Sequence, residues 1–263
     1  MAKESPVKII DHPTQLGIYR IGIWSDDNPQ DPRENDNLGT MVCWHRNYRL
    51  GDEQIGRHGV IEWLERMAER DSNAKRFDGM DSQTLFTALL TIARKRYIIL
   101  PLYLYDHSGI TMSTSPFGCG WDSGQVGFIY YDTKRNKTEG YTTAWLRKYH
   151  KGKTIRQVIE DMLISEVKEY DQYITNDVYG YEVFKPGDDV ELGNGGDSCW
   201  GFFGYNKWKD NGLLECATNA IDCDVRKRMD EKKSQLTKHF RYLKYAIRQG
   251  VNIKYRTPLQ LNY

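Results

Sequence analysis

Tyr97 to Tyr105 reads YIILPLYLY, the densest run of β-branched and aromatic residues in the chain, and it predicts a strand of the central sheet. Pro101 removes one ladder donor, so the strand is expected at a sheet edge or beside a bulge. Immediately upstream, Ser82 to Arg96 places Leu85, Phe86, Leu89, Leu90, Ile92 and Ala93 at helical spacing, with Asp81 in position to cap. Downstream, Asp106 to Gln125 (DHSGITMSTSPFGCGWDSGQ) runs for twenty residues without an apolar period. A segment of that length predicts a functional loop, and Phe117, Cys119 and Trp121 predict that it is ordered.

Further out the pattern alternates. Leu16 to Trp24, Leu38 to His45 and Val126 to Tyr131 read as strands, and His58 to Arg70 and Thr154 to Ile174 as amphipathic helices, the latter capped by Thr154. Val178 to Phe184 and Ser198 to Gly204 predict a hairpin across the turn-rich Pro186 to Asp197. Val225, Met229, Leu236, Phe240, Leu243 and Ile247 step by 4, 7, 4, 3 and 4, which predicts one long helix ending at Gly250. Strict βαβ order is missing and hairpin signals are present. The expected fold is therefore α+β, a mostly antiparallel sheet with packed helices and a long C-terminal amphipathic helix. The expected organisation is a core domain over residues 1–210 with a basic helical appendage over 211–263, in the same compact unit.

Composition narrows the setting. Aromatics reach 13% with 18 Tyr and 7 Trp while mean hydropathy is only -0.70, so the core and any binding surface must use rings with polar tips. The longest apolar run, Ile98 to Leu102, is far short of the ~20 residues a membrane span needs, and the N-terminus lacks a secretory h-region. No membrane partner and a cytoplasmic location are expected. Five cysteines, Cys43, Cys119, Cys199, Cys216 and Cys223, show no metal-module spacing and are expected reduced, most of them buried as small apolar groups. Residues 224–263 hold 11 Lys+Arg against 3 Asp+Glu, net +8, leaving the body at net -7.

Chemistry-bearing residues gather in the middle third. Asp106, His107 and Asp122 form a candidate catalytic set, His107 as general base beside a carboxylate, with Ser108, Ser123 or Cys119 able to supply a nucleophile. The plainer reading has the same side chains satisfying loop backbone. Trp121, with Ser108, Cys119 and Ser123, and a second group, Asp197, Cys199 and Trp200, are candidate binding residues, although Ser198 to Gly204 also reads as a buried aromatic strand. His45, His107, Asp106, Asp122 and Asp197 contain metal-ligand chemistry but no diagnostic spacing. The glycines of Gly118 to Gly124 lack the Lys-Ser/Thr pair of a phosphate loop, and no cofactor is assigned. A pocket that binds a nucleotide by aromatic stacking stays open.

Two charged surfaces complete the inventory. Arg226, Arg228, Lys233, Arg241, Lys244 and Arg248, with Tyr242 and Tyr245 between the last of them, can follow a phosphate backbone, or form a solvated helix face, or dock on the acidic body of another copy in a homo-oligomer. Asp26, Asp27, Asp31, Glu34 and Asp36 make the first loop acidic, and it is expected to be solvated.

Five blocks occur in order: Asp36 to Arg46 (DNLGTMVCWHR), Leu100 to Gly109 (LPLYLYDHSG), Trp121 to Gly127 (WDSGQVG), Tyr170 to Tyr181 (YDQYITNDVYGY) and Asp197 to Phe202 (DSCWGF). Together they resemble a family of uncharacterised proteins encoded by bacteriophages, plasmids and other mobile elements, over residues 16–204. The resemblance implies a protein made inside a bacterial cell that acts on a host protein or nucleic acid. With no catalytic motif and dense Tyr and Trp, the expected function is an accessory protein that binds a host component, in the service of counteracting host defence. The alternatives are a hydrolase or nuclease using Asp106, His107 and Asp122, and nucleic-acid binding by the basic helix.

Overall fold

The computed structural model describes residues 5–69, 79–190, 195–204 and 211–250. The fold is α+β, with two mostly antiparallel sheets and a long C-terminal helix. Two compact units share the chain: Asp27–Val178 forms one, and the N-terminal segment to Asp26 joins Tyr179–Tyr263 in the other. The dividing line thus differs from the boundary at residue 210 drawn from composition, because the N-terminal strands pair with a strand that follows the central unit in sequence.

In the continuous unit, a five-stranded sheet runs in the order β4-β3-β7-β5-β6: β3 (Thr40–Cys43), β4 (Glu53–Gln54), β5 (Tyr97–Asp106), β6 (Ile110–Ser113) and β7 (Ser123–Asp132). Among the described residues of this unit only the short β4 is parallel to its neighbour. Alternation along the strands sorts side chains to two faces. Met41, Ile98, Leu102, Leu104, Ile129 and Tyr131 face α4 (Ile155–Ile174), which buries Ile159, Leu163, Val167 and Tyr170 against them. Val42, Tyr97, Ile99 and Phe128 face α1 (Gly59–Glu69) and α2 (Ser82–Arg96), packing on Trp63, Leu64, Leu89 and Ala93. The caps follow the sequence: Asp81 accepts from the Gln83 and Thr84 N–H groups, and Thr154 with Gln157 forms a capping box. A short helix, α3 (Thr143–Tyr149), has no counterpart among the sequence expectations.

β5 is not an edge strand, since β7 and β6 flank it. β6 nevertheless covers only Tyr103 to Asp106, so at Pro101 the strand has a partner on one side, and a register shift follows at Leu102/Tyr103. The twenty-residue loop is likewise shorter than expected: Asp106 pairs with Ile110 across a tight turn, and residues 114–122 alone connect β6 to β7. Its four-residue strand was hidden because ITMS carries too little periodicity to stand out. Asp171 of α4 accepts from both Thr111 Oγ1 (2.7 Å) and Met112 N (2.6 Å), which fixes β6 from its helix side.

The other unit has a four-stranded sheet in the order β1-β2-β8-β9: β1 (Lys8–Thr14), β2 (Gly17–Ser25), β8 (Val178–Phe184) and β9 (Ser198–Phe203). The first quarter of α5 (Leu213–Arg248) buries Leu213, Ala217 and Ile221 against Tyr19, Ile21, Tyr181 and Val183. Tyr19, fully buried, donates to Asp224 at 2.7 Å and accepts from Arg228 at 3.0 Å. The helix therefore begins twelve residues before Val225, where the apolar stepping was first read. β9 is a strand as expected, but an exposed edge rather than a buried one; the Trp200 ring lies over Gly180, where an added Cβ would fall 2.2 Å from it. Of the five cysteines only Cys43 is buried, against the expectation for most of them.

In the acidic first loop Asp27, Glu34 and Asp36 are exposed as expected, but Arg33 turns inward. Residues 32–34 form a 3-10 turn, and the Arg33 side chain, 5% exposed, meets Asp52 through Nε and Nη2 (3.0 and 2.6 Å), Glu166 through Nη1 (3.0 Å) and the Gly39 carbonyl (2.7 Å). Glu166 in turn accepts from the Leu38 N–H at 2.7 Å, and Asp52 from Met41 N at 2.6 Å. Removing the guanidinium leaves the partly buried Glu166 and the more exposed Asp52 without their shared partner, so Arg33→Met is expected to cost about 2 kcal/mol. Urea unfolding followed by tryptophan fluorescence measures that loss, and an unchanged midpoint contradicts it.

Candidate functional site

β3 ends at Cys43, and the next residues, Trp44, His45 and Arg46, form one wall of a cleft of about 660 Å³. Ile55, Gly56 and Arg57 also line it, the end of β5 supplies Leu104 and Asp106, and the residues leading into β7 with its start supply Trp121, Asp122, Ser123 and Gln125. Every one of these residues belongs to the continuous unit. Gly51 makes the wall possible: at φ +66 it turns the chain back toward β3, where an added Cβ would lie 2.7 Å from Met41 Cβ. Its N–H bonds the Tyr170 hydroxyl at 2.9 Å, and burial pushes that phenol up to about 12.

His45 is held by backbone. Its Nδ1 accepts from the Asn47 and Tyr48 N–H groups at 3.3 and 3.2 Å, which places the proton on Nε2, and its ring stacks on Tyr48 at 4.9 Å. Tyr48 donates to Asp106 Oδ1 at 3.2 Å. Burial lowers the imidazole pKa below its ordinary value; Asp106 opposes the shift, and Arg46 and Arg57 add to it. His45 is therefore a neutral donor in the cleft at neutral pH.

Asp106, His107 and Asp122 do come together. The Asp106 N–H bonds the Asp122 carbonyl at 2.8 Å, and His107 Nδ1 lies 3.4 Å from Asp122 Oδ2. Asp106 and Asp122 line the cleft, whereas His107, 64% exposed, sits in the turn beside it, its ring near Tyr105. Ser108 occupies that turn at φ +57 and is exposed. Cys119 Sγ lies 3.7 Å from Asp122 Oδ2, and Ser123 Oγ donates to the Cys119 carbonyl. Trp121 is 98% exposed and has no ring partner among the described residues.

The metal set is not assembled: among the described residues no three His, Cys, Asp or Glu side chains are placed to hold an ion. Asp197, Cys199 and Trp200 belong to the other unit, all three exposed on or next to β9. On α5, Arg226, Lys233, Arg241, Lys244 and Arg248 are exposed, while Arg228 is partly buried in its bonds to Tyr19 and Asp224. Among the described residues no helix is long and apolar enough to cross a membrane.

Reading the sequence missed Trp44, Arg46, Arg57 and Gln125 as cleft residues, and Tyr48 as the support of His45 and Asp106. Trp44 and Arg46 lay inside one of the five blocks, which was the available signal; Arg57, in an aperiodic connection, offered none. Set against known proteins, the chain matches no family model, no curated protein and no solved structure.

The depressed His45 pKa has a stability consequence. Its contribution is complete above the unfolded value of about 6.5 and is lost as pH falls through the lower folded value. The gap in urea midpoint between the wild type and His45→Gln is therefore expected to shrink between about pH 7.5 and about pH 5. A gap that is constant or widens on acidification contradicts the assignment.

Proposed function

We propose that the protein is a recognition protein of a mobile element that binds a host component, with the cleft and its Trp121 rim as the binding surface. The observation that carries this reading is the 98% exposure of Trp121 beside a cleft of about 660 Å³. An indole offers roughly 150–250 Å² to a partner, and at ~25 cal/mol per Å² its burial supplies several kcal/mol. Such rings are the residues that dominate binding when they enter a partner's pocket or stack on a ligand. Phe117 supports the rim segment by packing on Tyr105, with ring centroids 5.8 Å apart, so Trp121 stands on an ordered loop. The mobile-element setting rests on the five sequence blocks, and counteracting host defence is the role that setting favours.

A hydrolase is the second reading, favoured by the 3.4 Å contact between His107 and Asp122. The two readings separate by mutation. Trp121→Ala is expected to abolish retention of the host component on the immobilised protein, with folding unchanged because the ring is solvated. His107→Ala is expected to leave retention intact. Retention that survives Trp121→Ala contradicts the cleft as the binding surface, and a lost phenotype in His107→Ala with retention unchanged favours chemistry.

A further inference from the structure

We infer that the ligand of this cleft is a nucleoside phosphate, free or within a single strand, its base stacked on Trp121 and its phosphate held by Arg46 and Arg57. The inference rests on reading the cleft as a recognition site and adds the chemistry of what is recognised.

The charges in the cleft are not equivalent. Its carboxylates are already engaged: Asp106 accepts from Tyr48, and Asp122 meets His107 and Cys119. Its guanidinium groups are not. Arg46 and Arg57 are exposed, both line the cleft, and neither has a hydrogen bond or ion pair among the described residues. Both carboxylates keep their charge, so the cleft is formally balanced, but the donors left unspent are the two guanidinium forks, and these planar forks match phosphate oxygens.

The remaining surface is flat and aromatic. Trp121 is open on its faces, and Trp44, whose ring meets Phe128 edge-on at 5.4 Å, lines the same cleft. Base stacking on such rings tolerates any base, because every base has a π-face. Polar edges stand nearby: neutral His45 retains its Nε2 proton as a donor, and Gln125, which spends its amide N–H on the Gly127 carbonyl at 3.2 Å, retains its carbonyl as an acceptor. A volume of about 660 Å³ lies within the ordinary range for small-molecule pockets. An apolar ligand leaves both arginines unanswered, and inorganic phosphate leaves both indoles so.

Calorimetric titration of the full chain at low salt tests this, using each of the four nucleoside 5′-monophosphates, the parent nucleosides, inorganic phosphate and a four-nucleotide single strand. At least one monophosphate is expected to bind about tenfold or more tighter than both its nucleoside and inorganic phosphate. Replacing the two arginines (Arg46→Ala with Arg57→Ala) is expected to erase the advantage of nucleotide over nucleoside, and Trp121→Ala to weaken nucleotide and nucleoside alike by about tenfold. All three side chains are exposed, so folding is preserved, and thermal unfolding of each variant verifies it. A strand that binds tighter than the monophosphate assigns the ligand to single-stranded nucleic acid, and one that binds more weakly assigns it to free nucleotide. Absence of binding by every nucleotide probe, equal binding of nucleoside and nucleotide, or an advantage that survives loss of both arginines overturns the inference. If nucleotides fail while Trp121→Ala still abolishes host retention, the ligand chemistry is wrong and the recognition reading stands; if Trp121→Ala changes neither, both fall.

Discussion

The Arg33 guanidinium joins segments of the continuous unit that no sheet ladder connects. Its two forks reach Asp52 and Glu166, 19 and 133 residues away, and those carboxylates bind the backbone N–H groups that lead into β3. An arginine suits the position because it stays charged and presents five donors in a fixed plane, so one side chain can satisfy two acids and a carbonyl together. Its desolvation is offset by these bonds, which keep its pKa raised despite burial. The value of such a network lies less in net stability, which desolvation largely offsets, than in the path it imposes on the chain. Here the geometry is the path from residue 38 to residue 57, which is the path that carries one wall of the cleft.

From that anchor the cleft follows by short steps. Asp52 bonds Met41 on β3, Gly51 turns the chain at positive φ, and Tyr170 receives the Gly51 N–H from the α4 side. Cys43, buried under this turn with its pKa pushed up to about 12 by burial, is packing and not chemistry. Beyond it the chain emerges as Trp44, His45 and Arg46. On the opposite wall the β5–β7 pairing, closed by the Asp106 to Asp122 backbone bond, presents Asp122, Ser123 and Gln125 beside Trp121. The polar cluster is thus rigid where its carboxylates are bonded and open where its arginines and indole face solvent, the division expected of a binding site on a fixed scaffold.

Tyrosine hydroxyls show how far composition can be read. Tyr19 and Tyr170 are buried with partners, as rings with polar tips require. Tyr97 and Tyr131 are buried with hydroxyls that have none among the described residues, and nothing in the structure accounts for them. The basic tail divides similarly: its charge was legible, but the use of Arg228 and Asp224 to hold Tyr19 was not, because Tyr19 lies more than two hundred residues from both.

The α+β class, the spans of α1, α2 and α4, the caps of α2 and α4, β5 and the existence, though not the start, of the long last helix were determined by the sequence itself. Periodicity and capping are local, and a window of ten to twenty residues contains the interactions that decide them. The company kept by Asp106, His107 and Asp122 was half legible for the same reason, since all three flank one hairpin region. Tertiary structure alone decided that the N-terminal strands join β8, that β9 is an exposed edge, that Arg33 is buried in an acidic loop, and that Arg46 and Arg57 share a cleft with Trp121. Those facts depend on contacts between residues far apart in the chain, and charge or polarity at one position does not state whether a distant partner will neutralise it. Arg33 finds two carboxylates and becomes framework; Arg46 and Arg57 find none among the described residues and remain available to a ligand.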